Sequence, residues 1–112
     1  MADGYIPKQG DIIIMNFDPQ TGHEQKGIRP GLVISGNNYN KLVKGLSIVC
    51  PITNTDSNFP LHVKLDNRTK TTGVILCEHV RSVDLKERHI KFKEKLAKDL
   101  LDDVLDIVKS LF

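Results

Sequence analysis

Apolar and polar residues follow one another in short blocks along most of this chain, and only near its end do they take a helical period. Ile12-Ile13-Ile14-Met15-Asn16-Phe17 is rich in β-branched residues and predicts a first strand. Leu32-Val33-Ile34-Ser35 predicts a second. Gly36-Asn37-Asn38 breaks it, and Tyr39-Asn40-Lys41-Leu42 predicts one short helical turn. The run from Leu46 to Ile52 predicts a third strand, with Pro51 expected at an edge or bulge because it has no N–H to give. Leu61-His62-Val63-Lys64-Leu65 alternates, as a half-buried fourth strand does. Asp66-Asn67-Arg68 is turn chemistry. Gly73-Val74-Ile75-Leu76-Cys77 predicts a fifth strand that leads into Val80-Arg81-Ser82-Val83. Then the period changes. Leu96, Leu100, Val104 and Val108 recur every four residues, with Ala97, Leu101, Leu105 and Leu111 beside them. That is one apolar stripe on a long helix with an Asp/Lys outer face. Strands first and a helix last predict a mostly β fold, a small twisted barrel with the helix packed on it. So small a barrel buries little alone, and a homodimer is expected.

The 112 residues suit a single domain spanning 1–112. A net charge of +2 and a pI of 8.6 are compatible with a nucleic-acid partner but fall short of a strongly basic domain. The charge is unevenly placed. Lys86, Arg88, Lys91, Lys93, Lys95 and Lys98 face only Glu87 and Glu94, and then Asp99, Asp102, Asp103 and Asp106 follow. This stretch reads as solvated surface. No signal-like leader and no long apolar run occur, so a cytoplasmic protein with no membrane partner is expected. Cys50 and Cys77 fall in apolar segments and read as buried, reduced thiols.

Several cofactor and catalytic signatures are missing. There is no Gly-x-x-x-x-Gly-Lys, Gly-x-Gly-x-x-Gly, His-Glu-x-x-His or Gly-x-Ser-x-Gly. An enzyme built on this chain is expected to use neither a metal nor an organic cofactor. Between the first two strands runs a polar, Gly-punctuated loop that delivers Arg29, fixed by Pro30, to the mouth of the second strand. Loops of this length often carry function. RNA would bring its own nucleophile, the 2′-OH. The protein would then orient that oxygen, stabilise charge on the phosphoryl oxygens and protonate the leaving group. A guanidinium matches phosphate oxygens bidentately and stays charged, and a Thr hydroxyl donates one further bond. Arg29 and Thr53 sit at the mouths of loops leading from strands one and three, which a small barrel brings to one rim.

Three segments carry a resemblance. Glu24-Gln25-Lys26-Gly27-Ile28-Arg29-Pro30 follows a Gly10-Asp11-Ile12 strand start, Pro51-Ile52-Thr53 comes next, and Glu78-His79-Val80-Arg81-Ser82 is third. In order and spacing, from about Gly10 to Asp84, the chain resembles the MazF/PemK family of bacterial toxin ribonucleases. The resemblance implies an SH3-like barrel of the CcdB/PemK kind, a homodimer, and a sequence-specific, metal-independent endoribonuclease toxin of a type II toxin–antitoxin system. It implies cleavage of single-stranded mRNA by 2′-OH attack, leaving a cyclic phosphate and a 5′-OH. Arg29 and Thr53 take the family's catalytic positions, and Glu24 matches an acidic residue that supports activity. Gln25, Lys26, Asn54, Thr55, Glu78, His79 and Arg81 are candidate contacts to base or phosphate. The implied partner is a MazE-like antitoxin with an acidic, flexible segment, for which Lys26, Arg29 and the basic cluster from Lys86 to Lys98 offer a target. Two positions depart from the family pattern. Ile28 stands where some members carry His, so Arg29 has to move protons as well, or His23 assists. His79 stands where many carry Gln, which bears on the RNA sequence recognised. The alternatives are a CcdB-like toxin that binds gyrase without nuclease chemistry, and a barrel that holds RNA without cutting it. The Glu24–Pro30 loop together with Thr53 favours the nuclease. His62 and His89 read as structural or solvated.

Overall fold

β1 (Asp11–Asn16) turns Ile12 to one side of its pleat and Ile13 and Met15 to the other, and none of the three is more than 1% exposed. Such a strand needs cover on both faces. The computed structural model describes residues 5–16, 27–55 and 60–112, with the backbone alone for Lys86 and Glu87. In it β1 lies between β2 (Ile28–Val33) and β7 (Lys91–Lys95), antiparallel to both. β2 pairs on its other side with β3 (Leu46–Thr53). The far side of β3 is shared. Leu46–Val49 pair with β6 (Arg81–Asp84), and Ile52 and Thr53 pair with β5 (Val74–Leu76), which carries β4 (His62–Lys64). Three helices complete the described chain: α1 (Asn37–Leu42), α2 (Leu85–Arg88) and α3 (Lys98–Ser110). A 3-10 turn, Cys77–His79, joins β5 to β6.

The fold is thus an antiparallel sheet with a C-terminal helix, as expected. Among the described residues no ladder joins β4 to β7, so the curl is not closed by backbone bonds. A side chain spans the opening instead. The Glu94 carboxylate on β7 accepts bonds from the N–H groups of Lys70 (3.0 Å) and Thr71 (2.8 Å) and from the Thr71 hydroxyl (2.6 Å), all in the β4–β5 loop. Burial favours the neutral form of Glu94, but these bonds outweigh it and hold the carboxyl below the ordinary glutamate value.

The two faces have separate cores. On one face Ile12, Leu32, Cys50, Ile52 and Ile75 meet Val104 and the apolar stripe of α3. On the other, Ile13, Met15, Val33, Val49 and Val83 meet Leu85. Cys50 and Cys77 are free and fully buried, and burial pushes their thiols up to about 12 and about 11. Among the described residues no helix is long and apolar enough to cross a membrane.

Four sequence expectations are corrected. The second strand begins at Ile28, not Leu32, so Arg29 and Pro30 lie inside it, paired with Met15 and Ile14. Pro51 is in the middle of the sheet, between Val49, the last residue to pair with β6, and Ile52, the first to pair with β5. Its missing N–H falls where the partner strand changes. Residues 81–84 form a separate strand, and Lys91–Lys95, read as solvated surface, form another with α2 before it. The expected strand end at Phe17 lies outside the described residues.

Candidate active site

The alternation of side chains along β2 and β3 decides what meets at their ends. Gly31 pairs with Pro51, and Leu32 with Cys50. Two residues further from Gly31 on β2 is Arg29, and two further from Pro51 on β3 is Thr53. A period of two keeps each on the side of the pleat it started from, so Arg29 and Thr53 share one face at the same end of adjacent strands. Between them the sequence places a glycine and a proline, which leave that face low. Arg29 is exposed and Thr53 half-buried.

Thr53 is held from two directions. Its hydroxyl oxygen accepts a bond from the Thr55 N–H (3.2 Å), which leaves the hydroxyl proton free to donate. Behind it stands Gly73, at φ +110°, so close that a Cβ there would lie 2.2 Å from the Thr53 carbonyl oxygen and 3.0 Å from Asn54 Oδ1. Asn54 Oδ1 also accepts from the Thr72 hydroxyl (2.9 Å), which fixes the amide beside Thr53. Gly73 is the site-shaping residue that sequence reading passed over, as the first residue of the fifth strand. The signal was its place at the start of a fully apolar strand, where glycine is otherwise costly.

The third segment divides. Arg81 pairs with Val49 on β6 and so shares the face of Thr53, four residues or about 13 Å along β3. Arg81 and His79 are exposed, His79 by 60%. Glu78 is turned the other way. Its Oε2 lies 2.9 Å from Nε2 of His62 on β4, and its Oε1 is buried with no bond among the described residues. Burial works against the charged form of Glu78, but His62, its own backbone N–H and nearby His79 outweigh that and keep it below the ordinary glutamate value. Glu78 therefore holds β4 to the 3-10 turn. Glu24, Gln25, Lys26 and His23 lie outside the described residues. Among those described, no three His, Cys, Asp or Glu side chains gather closely enough to share a metal ion.

The chain thus folds as an antiparallel, curled sheet with a C-terminal helix over one face, and Arg29 and Thr53 lie together at an end of the other. The model for the PemK-like, MazF-like toxins of type II toxin–antitoxin systems matches residues 8–112, and the chain belongs to that family. It is 34% identical over 109 residues to Endoribonuclease PemK of Escherichia coli, covering 93% of this chain and 80% of that protein. The crystal structure of MazF from Deinococcus radiodurans superposes with a TM-score of 0.84 at 38% identity, over 96% of each chain. The crystal structure of MazE–MazF from the same organism gives 0.81 at 34% identity, over 96% of this chain and 95% of that one.

Proposed function

We propose that this chain is a toxin endoribonuclease that cuts single-stranded mRNA at a defined sequence by 2′-OH attack, without a metal ion. The Arg29–Thr53 pair on one face of adjacent strand ends is the observation that carries it. The RNA 2′-oxygen attacks the neighbouring phosphorus, the bond to the 5′-oxygen breaks, and a 2′,3′-cyclic phosphate and a 5′-OH result. The Arg29 guanidinium would hold the phosphoryl oxygens, where charge builds, and the free Thr53 hydroxyl proton would donate to one of them. Neither role needs a metal ion or an organic cofactor. Ile28 offers no proton, so proton transfer falls to Arg29 or to the preceding loop, with Glu24 in support. Asn54, Thr55, His79 and Arg81 flank this path as candidate base and phosphate contacts, with Gln25 and Lys26 from the loop. Glu78 would act mainly by setting the 3-10 turn that carries His79. The names of the relatives support a nuclease over the gyrase-binding alternative.

The whole chain would serve as one toxin domain, acting in the cytoplasm where mRNA is found. The MazE–MazF relative supports a MazE-like antitoxin as partner, and an acidic segment laid over Lys26 and Arg29 would exclude RNA. A homodimer fits a barrel this small. A substrate with a 2′-deoxy residue at the cut tests the chemistry. It is expected to bind and stay whole, and its cleavage at the normal rate would end the 2′-OH mechanism.

A further inference from the structure

β7 is the last strand of the sheet on its side, and its outer edge pairs with no strand among the described residues. It carries Lys91, Lys93 and Lys95 in alternation with Glu94 and one aromatic ring, Phe92, which is 43% exposed. An exposed edge strand rich in lysine is commonly a guard against aggregation. Three features here go further. The first is register. Phe92 pairs with Ile13, and Arg29 pairs with Met15. Ile13 and Met15 point to the same side of β1, so Phe92 and Arg29 share one face of the sheet. Two strand spacings across and two residues along put their positions about 12 Å apart. The second is bracing. The Tyr5 ring meets Phe92 edge-on, with centroids 6.1 Å apart, and the Tyr5 hydroxyl is tied to buried Asp11 at 2.6 Å. Burial, with the Asp11 bond behind it, pushes that hydroxyl's pKa far up, so it stays a donor. The ring of Phe92 is therefore braced by Tyr5 while part of it stays open to solvent. The third is charge. Lys95 is taken by Asp11 at 2.7 Å, whereas Lys8, Lys91 and Lys93 carry no ion pair among the described residues. Lys8 lines a cavity with Tyr5, Ile6, Asp11, Phe92 and Lys95, whereas Lys91 pairs with Ile14 and so lies on the other face of the sheet from Phe92.

We infer that Phe92, with Lys8 and Lys93, forms a second contact for the RNA strand, in which a base beyond the cut stacks on the ring and the lysines meet its phosphates. The inference rests on the endoribonuclease reading above, and it gives the edge strand a role that its charges alone do not. An aromatic face flanked by cations is the usual platform for single-stranded nucleic acid, since every base has a face to stack. The contact would add affinity without adding sequence preference. It would engage only RNA long enough to reach from Arg29 to β7.

Binding of fluorescent single-stranded RNAs of increasing length, each with a 2′-deoxy residue at the cut, tests this without relying on cleavage. The variants are Phe92→Leu, which keeps an apolar contact for Tyr5, and Lys8→Gln/Lys93→Gln. For long strands Phe92→Leu is expected to weaken binding by about 5- to 100-fold, and the loss should grow with length on one side of the cut. The lysine pair should lower the slope of log affinity against log salt by about 1.4. Loss of equal size at every length, or no loss and an unchanged slope, would overturn the inference. So would a loss confined to an acidic peptide probe, which would make β7 a protein-docking edge. Wild-type protein that binds RNA but leaves an all-ribose strand whole would count against the nuclease reading and not against this contact.

Discussion

Replacing Gly73 by Ala tests whether the fold delivers Thr53 to its place. Two costs meet at this position. The backbone at φ +110° suits glycine and strains any L side chain by about 1–3 kcal/mol. The added Cβ would also stand 2.2 Å from the Thr53 carbonyl oxygen, against about 3.5 Å for an ordinary contact. Both atoms belong to backbone or begin a side chain, so no flexible tip can swing away. β5 and the end of β3 must part by about 1 Å, which adds roughly 1–3 kcal/mol. A total loss near 3 kcal/mol would lower the melting midpoint by about 10–20 °C. The same shift would move Thr53 and Asn54 away from Arg29, and a displacement of about 1 Å typically costs about 100-fold in rate. Urea unfolding gives the first number. Cleavage of a short RNA, at a temperature where the variant stays folded, gives the second. Gly36 supplies the control, since nothing lies within 4 Å of a Cβ there and Gly36→Ala should change neither. A Gly73→Ala protein within about 0.5 kcal/mol of wild type and fully active would refute the claim that Gly73 sets the position of Thr53.

Arg29→Ala is expected to cut the rate by about 100-fold or more with little change in melting, because Arg29 is exposed. Lys should rescue it poorly for lack of a planar fork, and unfolding of the Ala variant would mark Arg29 as structural. Thr53→Val keeps the shape and removes the hydroxyl, so it should lower turnover at near-normal stability, and full activity would remove Thr53 from the site. Glu94→Gln should weaken the link between β7 and the β4–β5 loop. The carboxyl of Glu94 lies below its unfolded value, so its stabilisation is present above about pH 4.3 and fades as the pH falls through the folded value. The gap in urea midpoint between wild type and variant should therefore be full at pH 7 and shrink below about pH 4. A gap that widens in acid would show that the bridge has another origin.

How far the sequence could be read follows from which side chains face inward. Ile12 to Met15, Leu32 to Ile34 and Val74 to Ile75 are apolar on both faces, and their strands stood out. The stripe from Leu96 to Val108 marked α3 within two residues of its start at Lys98. Lys91–Lys95 gave no such signal. Its inward anchor is a carboxylate, Glu94, and its one aromatic ring is half in water. Period arguments count apolar positions and pass over such a strand. α2, only four residues long, has too few turns for any period. Arg29 was legible by type and motif, but its place in β2 was hidden by Pro30, which usually discourages a strand. The strand survives because the β2–β3 ladder stops at Gly31. Glu78 was read as a contact to RNA, and nothing in the local sequence marked His62, sixteen residues earlier, as its partner.

The most direct test of the central claim is to map the ends left on a long single-stranded RNA after incubation with pure protein in EDTA. The account predicts cuts at a defined sequence, each leaving a 2′,3′-cyclic phosphate upstream and a 5′-OH downstream, and their loss in Arg29→Ala. Cleavage that requires added Mg²⁺, or a 5′-phosphate on the downstream fragment, would contradict it.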